Sequence, residues 1–448
     1  MDDLPSPLIL EILSRLHDSA DLARCRLVSR EFNALSSDVR TINFHCSLER
    51  YTMSRSPATR SDVTPFKTIF KRLVSSLRRV ESISIGVEKP LREMSYDDVE
   101  DESDDLYLTD KCFISDWLPS VAGELKSISI SDFWIQSCWR QSVVLSLISC
   151  DCLSLRELEL KNCWLSVDGL NPMPMLTSLT LEYVRLDDEN LGRVNDCFPS
   201  LQVLNLIGVG GLGRPKIHLL HLRTCQWTVS NAPLSLTILA PNLINLKLAC
   251  VKPRSLVIDA PLLTDFNLSI ETASKFQVKE PCNLKALQLE SKYLCSLFNL
   301  FTFGRTIKNL IVDSSKCDES GEVAELNLAK LFNVFSSTTS LTLGPGAWSK
   351  AETWFLKQGS EVIGGTKELK ELIARFYVDD INITLLFIFY LLEKCTSLRD
   401  MTLLIHHEVE TSIASSIMSR SMAHCARVRW RWGLWMKGKK DAWISDGI

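Results

Sequence analysis

One short pattern organises most of this chain: an apolar residue, two of any kind, an apolar residue, one of any kind, an apolar residue. It stands at VESISI (80), LKSISI (125), LRELEL (155), LTSLTL (176), LQVLNL (201), LINLKL (243), LTDFNL (263), LKALQL (284), IKNLIV (307), LKELIA (369) and LRDMTL (398). TTSLTL at 338 is a weaker copy without the first apolar residue. In Leu158-Glu159-Leu160 neighbouring side chains alternate, so the pattern predicts short strands with leucines inward and Glu159 outward. One such strand cannot bury its inner face alone, but stacked copies share a continuous core. Helical spacing fills some of the gaps. FKTIFKRLVSSL at 66–77 puts Ile69, Phe70, Leu73, Val74 and Leu77 on one side, and QSVVLSLISC at 141–150 precedes the strand at 155 in the same way.

The N-terminus follows a different period. Ser6 suits a helix cap and Pro7 the first helical position, where no N–H is needed. Ile9, Ile12, Leu13 and Leu16 then form one apolar stripe, with Leu8 and Leu10 off it. Ser19 suits the cap of a second short helix carrying Leu22, Cys25 and Leu27, and Val28, Phe32 and Leu35 mark a third. A bundle of about 40 residues rarely buries enough surface to stand alone, so these helices need a second surface in this chain or another.

Both segments carry a resemblance. Spacings between 155 and 307 are mostly 20–25 residues, the leucine-rich-repeat range. Leu155, Leu158, Leu160, Cys163 and Leu165 fill L-x-x-L-x-L-x-x-C-x-L, and Leu176, Leu179, Leu181, Val184 and Leu186 nearly repeat it. The resemblance implies an α/β solenoid, an irregular horseshoe with a curved parallel sheet whose strands line the concave face. Leu4-Pro5, Ile9, Glu11-Ile12-Leu13-Ser14-Arg15-Leu16, Asp21-Leu22 and Arg26-Leu27-Val28-Ser29-Arg30 resemble an F-box. Ser6-Pro7 replaces the acidic residues common there and Phe32 the usual Trp, each keeping the physical character of its position. That family folds as a small helical module docking on the Skp-type adaptor of cullin–RING ubiquitin ligases. The resemblance implies adaptor binding by Leu4, Pro5, Ile9, Ile12, Leu13, Leu16, Leu22, Val28 and Phe32. LLEKCTSLRDMTLLI at 391–405 resembles part of the FBD region of plant F-box proteins. The expected organisation is a three-helix module over 1–42, a linker and first repeat helix over 43–79, a solenoid over 80–410, and a basic, aromatic cap over 411–448.

Composition narrows the function. Of 448 residues 46% are apolar, enough for extensive burial, and a net charge of −4 argues against a nucleic-acid-seeking surface. The fifteen cysteines are scattered, odd in number and contain no C-x-x-C. With no secretory signal at the N-terminus they read as free thiols of a reducing compartment, cytoplasm or nucleus. The longest apolar run, LLFIFYLL at 385–392, is far short of the roughly 20 residues of a membrane span. YDDVEDESDD at 96–105 holds seven acidic residues and reads as an exposed, mobile loop. IHLLHL at 217 fits the apolar template but follows the previous unit too soon, as an extra strand or an insertion.

No catalytic constellation emerges, and no cofactor is expected. Gly208, Gly210 and Gly213 spell G-x-G-x-x-G after a strand, but Arg214-Pro215-Lys216 follows where a dinucleotide site needs a helix. No acidic residue occurs until Asp259, so the glycines are read as a tight turn. His218 and His221, three apart on a strand, face opposite sides and cannot share a metal; His406 and His407 diverge likewise. In RVRWRWGLWMKGKKDAW, Arg427, Arg429 and Arg431 alternate with Val428, Trp430 and Trp432, which favours a strand closing the last repeat over single-stranded nucleic-acid binding.

One charge bias remains. From Cys197 to Ile258 there is no Asp or Glu, while Arg214, Lys216, Arg223, Lys247, Lys252 and Arg254 are all cationic. Lys247 lies between Leu246 and Leu248 and should point outward from the sheet. Arg214, Lys216, Lys247, Lys252 and Arg254 are thus candidate contacts to an acidic or phosphorylated target. Alternatively they neutralise Asp187, Asp188 and Glu189 on adjacent repeats. Two readings survive: a non-catalytic substrate receptor of a cullin–RING ligase, or a repeat scaffold or small-ligand receptor whose helical start is only a cap.

Overall fold

The computed structural model describes residues 4–16, 18–54, 64–88, 104–132, 140–229, 233–271, 275–279, 281, 283–314, 325–358 and 367–445. The chain divides into two compact units, Met1–Asn231 and Ala232–Ile448.

The first unit opens with three short helices, α1 (Ser6–Ser14), α2 (Ser19–Arg26) and α3 (Arg30–Ser36). Pro5 rather than Ser6 occupies the cap position of α1, and the Ser6 hydroxyl donates to Glu31 instead (2.9 Å). Asp18, not Ser19, caps α2 by accepting from the Ala20 N–H (2.8 Å), because an Asx oxygen reaches two residues on. Ser29 caps α3 through the Phe32 N–H.

The chain then enters the sheet earlier than the pattern predicts. Thr41–Ser47, expected as linker, pairs in parallel with Ser82–Glu88 along seven residue pairs. TINFHCS alternates Ile42, Phe44 and Cys46 but lacks the full six-residue template, so the period alone did not register it. Parallel pairing continues through Ser127–Ser131, Glu157–Lys161, Ser178–Glu182 and Val203–Val209 to Thr224–Val229. The helices Phe66–Ser75 and Val144–Asp151 fall where expected, with Phe70, Leu73 and Val74 buried and Ile69 exposed.

The stretch 201–243 holds a repeat that the leucine template misses. Lys216–His218 is a short strand of its own, the extra-strand alternative for IHLLHL, and the repeat strand is Thr224–Val229. Its inward positions are Cys225, Trp227 and Val229 rather than leucines.

The second unit repeats the scheme. Asn245–Cys250, Asp265–Ile270, Ala286–Glu290, Asn309–Asp313, Ser340–Leu343, Glu371–Phe376, Asp400–His406 and Arg429–Trp435 pair in parallel in that order. Early repeats are backed by a second parallel sheet of Ser235–Leu239, Ser255–Asp259 and Lys275–Val278, later ones by longer helices. Repeats of about 20 residues have no room for a helix, whereas those of about 30 do. The segment 391–405 runs from the end of helix Ile381–Lys394 into strand Asp400–His406. Arg429–Trp435 is the strand predicted in the tail, with Val428 and Trp430 buried, Trp432 half-buried and Arg429 and Arg431 exposed. It does not close the sheet: Ala442–Ser445 pairs antiparallel with it and is the last strand among the described residues. Each unit carries the mostly parallel sheet that the leucine pattern implies, and in the first unit it follows the helical module.

Burial in this second unit has a measurable consequence. The Glu352 carboxyl, on helix Pro345–Gln358, accepts from the Thr384 hydroxyl (2.9 Å), yet desolvation pushes its pKa up to about 6. A pKa raised above the unfolded value of 4.5 means the folded state holds the proton more tightly between the two. Stability is therefore fully present below pH 4.5 and lost as pH rises through about 6. Allowing for partial exposure, the loss is about 1 kcal/mol. Glu352→Gln should flatten this dependence, as read by urea melts between pH 4.5 and 7; identical slopes would show that the group does not titrate there.

Candidate protein-docking site

The helical module divides its apolar residues into two sets. Ile9, Leu13, Leu22 and Phe32 are buried among α1, α2, α3 and the start of the sheet. A side chain under 10% exposed offers almost no area to a partner, so these four form the module's interior rather than its surface. Leu16 is half-buried. Leu4, Pro5, Ile12 and Val28 are exposed, and so are Leu8 and Leu27, which the stripe did not single out as contacts. Leu27 is 88% and Val28 64% exposed, at the turn between α2 and α3. Leu8 and Ile12 lie at i and i+4, about 100° round the helix from Ile9 and Leu13, so in sequence the two pairs look alike.

Polar side chains tie the helices of this module to one another and to the segment after helix Phe66–Ser75. Arg26 donates from Nε to the Ser36 hydroxyl (2.8 Å) and from Nη1 to the Ser76 hydroxyl (3.0 Å). Arg78 pairs with Asp38 (3.0 Å), and its N–H donates to the Ser37 carbonyl (2.9 Å). Burial lowers the pKa of Arg26 from its ordinary value. The module is thus continuous with the first strand rather than tethered by a free linker.

The acidic stretch divides as well. Residues 96–103 lie outside the described residues. Asp105 is buried, not exposed, and its carboxylate accepts from the Tyr51 hydroxyl (3.2 Å) and the Phe66 and Lys67 N–H groups (2.8 and 3.1 Å). It caps the helix Phe66–Ser75, whose own N-cap residue is Pro65 and has no side-chain oxygen.

The five candidate cations do not form one paired set. Arg214 and Lys216 are exposed in the first unit, Lys247, Lys252 and Arg254 in the second. Lys247 points outward between buried Leu246 and Leu248 as predicted, opposite Asn267. Lys252 is neutralised by Glu271 (2.8 Å). Asp187 and Asp188 serve the backbone instead: Asp187 caps helix Asp188–Cys197, and Asp188 accepts from the Gly213 and Arg214 N–H groups. That contact shapes the GVGGLG turn. Gly211 has φ +91°, and a Cβ there would lie 2.7 Å from the Leu186 carbonyl. A strand, not a helix, follows.

No group of three or more His, Cys, Asp or Glu placed to hold a metal ion occurs among the described residues. Desolvation pushes the Cys152, Cys225, Cys250 and Cys395 thiols up to about 12, leaving them protonated packing groups. No helix among the described residues is long and apolar enough to cross a membrane.

An exposed apolar helical module ahead of leucine-rich strands defines a class of protein, and comparison with known proteins bears on it directly. Residues 1–44 match the F-box-like family. The chain is 50% identical over 449 aligned positions to the F-box/LRR-repeat protein At4g29420 of Arabidopsis thaliana, covering 99% of this chain and all of that one. It is 22% identical over 231 positions to the F-box protein At1g10780 of the same plant, covering 50% of this chain and 48% of that protein. The chain belongs to the F-box/LRR-repeat proteins.

Proposed function

We propose that this protein is the substrate-recognition subunit of an SCF-type cullin–RING ubiquitin ligase. The module docks on a Skp-type adaptor, and through it on cullin, while the repeats hold a target protein for ubiquitination. The protein makes and breaks no bond itself; it contributes proximity between target and charged enzyme. The observation that carries this reading is the exposure of Leu4, Leu8, Ile12, Leu27 and Val28 on one small module, a cost in water unless a partner covers them. The alternative, a scaffold or small-ligand receptor whose helices only cap the repeats, accounts for buried Ile9, Leu13, Leu22 and Phe32 but not for the exposed set.

The test is an adaptor pull-down with the full chain. Ile12→Ser with Leu27→Ser should weaken capture at least about tenfold, since two buried aliphatic contacts contribute well over the 1.4 kcal/mol that a tenfold change requires. Leu4→Ala with Pro5→Ala should weaken it less. Melting should be unchanged, because all four side chains are exposed. Absence of adaptor capture by the wild type would rule the ligase reading out, and capture that survives both double changes would place the docking face away from these four side chains.

A further inference from the structure

In a parallel sheet all strands start at one edge, and the residue just before each strand forms a row along that edge. In the second unit the row is fixed by backbone hydrogen bonds from the N–H of each member to the carbonyl of the previous one. They link Thr264, Lys285, Lys308, Thr339, Lys370 and Arg399, at 2.8–3.0 Å. Four of the six are cations, all exposed and without an ion-pair partner among the described residues. The equivalent row of the first unit runs through Arg40, Glu81, Lys126, Arg156, Thr177, Gln202 and Arg223. Arg40 and Lys126, on either side of Glu81, both pair with that carboxylate (2.8 and 2.5 Å). Arg156 and Arg223, further along that row, are exposed without an ion-pair partner among the described residues, so the first unit's row is neutralised only around Glu81, whereas the second unit's row contains no acid.

We propose that Lys285, Lys308, Lys370 and Arg399 form a docking rail for an extended acidic peptide segment of a partner protein. This deepens the target-capture reading by giving the captured segment a chemical class. Strands about 4.8 Å apart place the first and last members of the row about 24 Å from each other. An extended peptide advancing about 3.3 Å per residue covers that length in roughly seven residues, and its alternate side chains face one side. The cations are strung out singly rather than converging, which suits carboxylates spaced along a chain. A phosphate draws its affinity from several donors meeting at one point. The row carries no aromatic side chain on which bases could stack, which disfavours single-stranded nucleic acid. Three acidic residues sit one position further along the strands, and each is engaged: Asp265 by the Thr264 hydroxyl (2.5 Å), Glu371 by the Ser340 hydroxyl (2.7 Å), Asp400 by Arg429 (2.8 Å).

The experiment measures fluorescence anisotropy of a labelled peptide of about eight residues, Asp and Glu alternating with Ser, on the full-length protein without adaptor. Peptide binding and adaptor capture are then read separately, so either reading can fail alone. The wild type should bind, more weakly as salt rises. Lys285→Gln, Lys308→Gln, Lys370→Gln and Arg399→Gln together should weaken binding about tenfold. That is about 1.4 kcal/mol, or roughly 0.35 per cation, within the range for exposed ion pairs. Lys308→Gln and Lys370→Gln singly, each costing about twofold, decide the matter should the fourfold variant lose stability. Lys247→Gln with Arg254→Gln should leave binding unchanged. The rail is overturned if the wild type does not bind, if neither the fourfold nor the single variants weaken binding, or if the loss occurs in the Lys247/Arg254 variant. Tighter binding of a phosphoserine peptide or an RNA oligonucleotide than of the acidic peptide would overturn it equally.

Discussion

Removing residues 427–448 should abolish cooperative folding of the second unit and leave an aggregating protein. The strand Arg429–Trp435 pairs with Asp400–His406 along seven residue pairs, so its loss bares a long edge of unpaired N–H and C=O groups. It also removes Val428, Trp430 and Trp435, each under 7% exposed. At about 1.5–3 kcal/mol per buried apolar side chain, the loss approaches the whole stability of an ordinary domain. The Arg427 guanidinium on the Leu392 carbonyl (2.7 Å) and the Trp435 indole on the Phe376 carbonyl (3.3 Å) go with them. Light scattering and a thermal melt of the truncated chain measure the effect. A soluble truncation that melts like the full chain would show that the tail is an appendage rather than the last repeat.

Trp227→Ala should be among the most damaging single substitutions. Trp227 is fully buried on Thr224–Val229, at an inward position that leucine occupies elsewhere. A large aromatic cut to Ala in a packed core costs about 3–5 kcal/mol, and repeats that share a core with their neighbours collapse little around the cavity. Trp227→Phe should cost much less. The indole Nε1 is buried with no hydrogen-bond partner among the described residues, so losing it relieves a desolvated donor. Denaturant melts of the two variants separate size from polarity. Equal losses would show that the indole N–H matters as much as the ring.

The candidate site is partly legible in the sequence. The density of F-box-like residues located the module, and Lys247 between two leucines pointed outward as alternation requires. Which module side chains stay exposed was not legible, because apolar residues on both sides of α1 look alike in sequence. Ile9 and Leu13 went inward while Leu8 and Ile12 stayed out because α3 packs on one side only. The acidic run misled at Asp105, since a carboxylate buried on backbone N–H groups reads in sequence like any solvated one. The cation row was invisible for a related reason. Lys285, Lys308, Lys370 and Arg399 are scattered over more than a hundred positions, and only strand register sets them side by side.

By itself the sequence determined the repeat class, the inward leucines, the helical start and the strand Arg429–Trp435, because a period of two or 3.6 is a local property of neighbouring residues. Tertiary structure alone decided that Thr41–Ser47 and Thr224–Val229 are repeat strands, since their inward residues, Ile42 and Trp227 among them, acquire that role only from the strands on either side. It also decided which charges are spent and which stay open. Arg40 and Lys126 are neutralised by Glu81 from a neighbouring strand, and Lys285 and Lys308 are not. Ion pairing depends on distance in space, and chain order does not encode the distance between side chains on different strands.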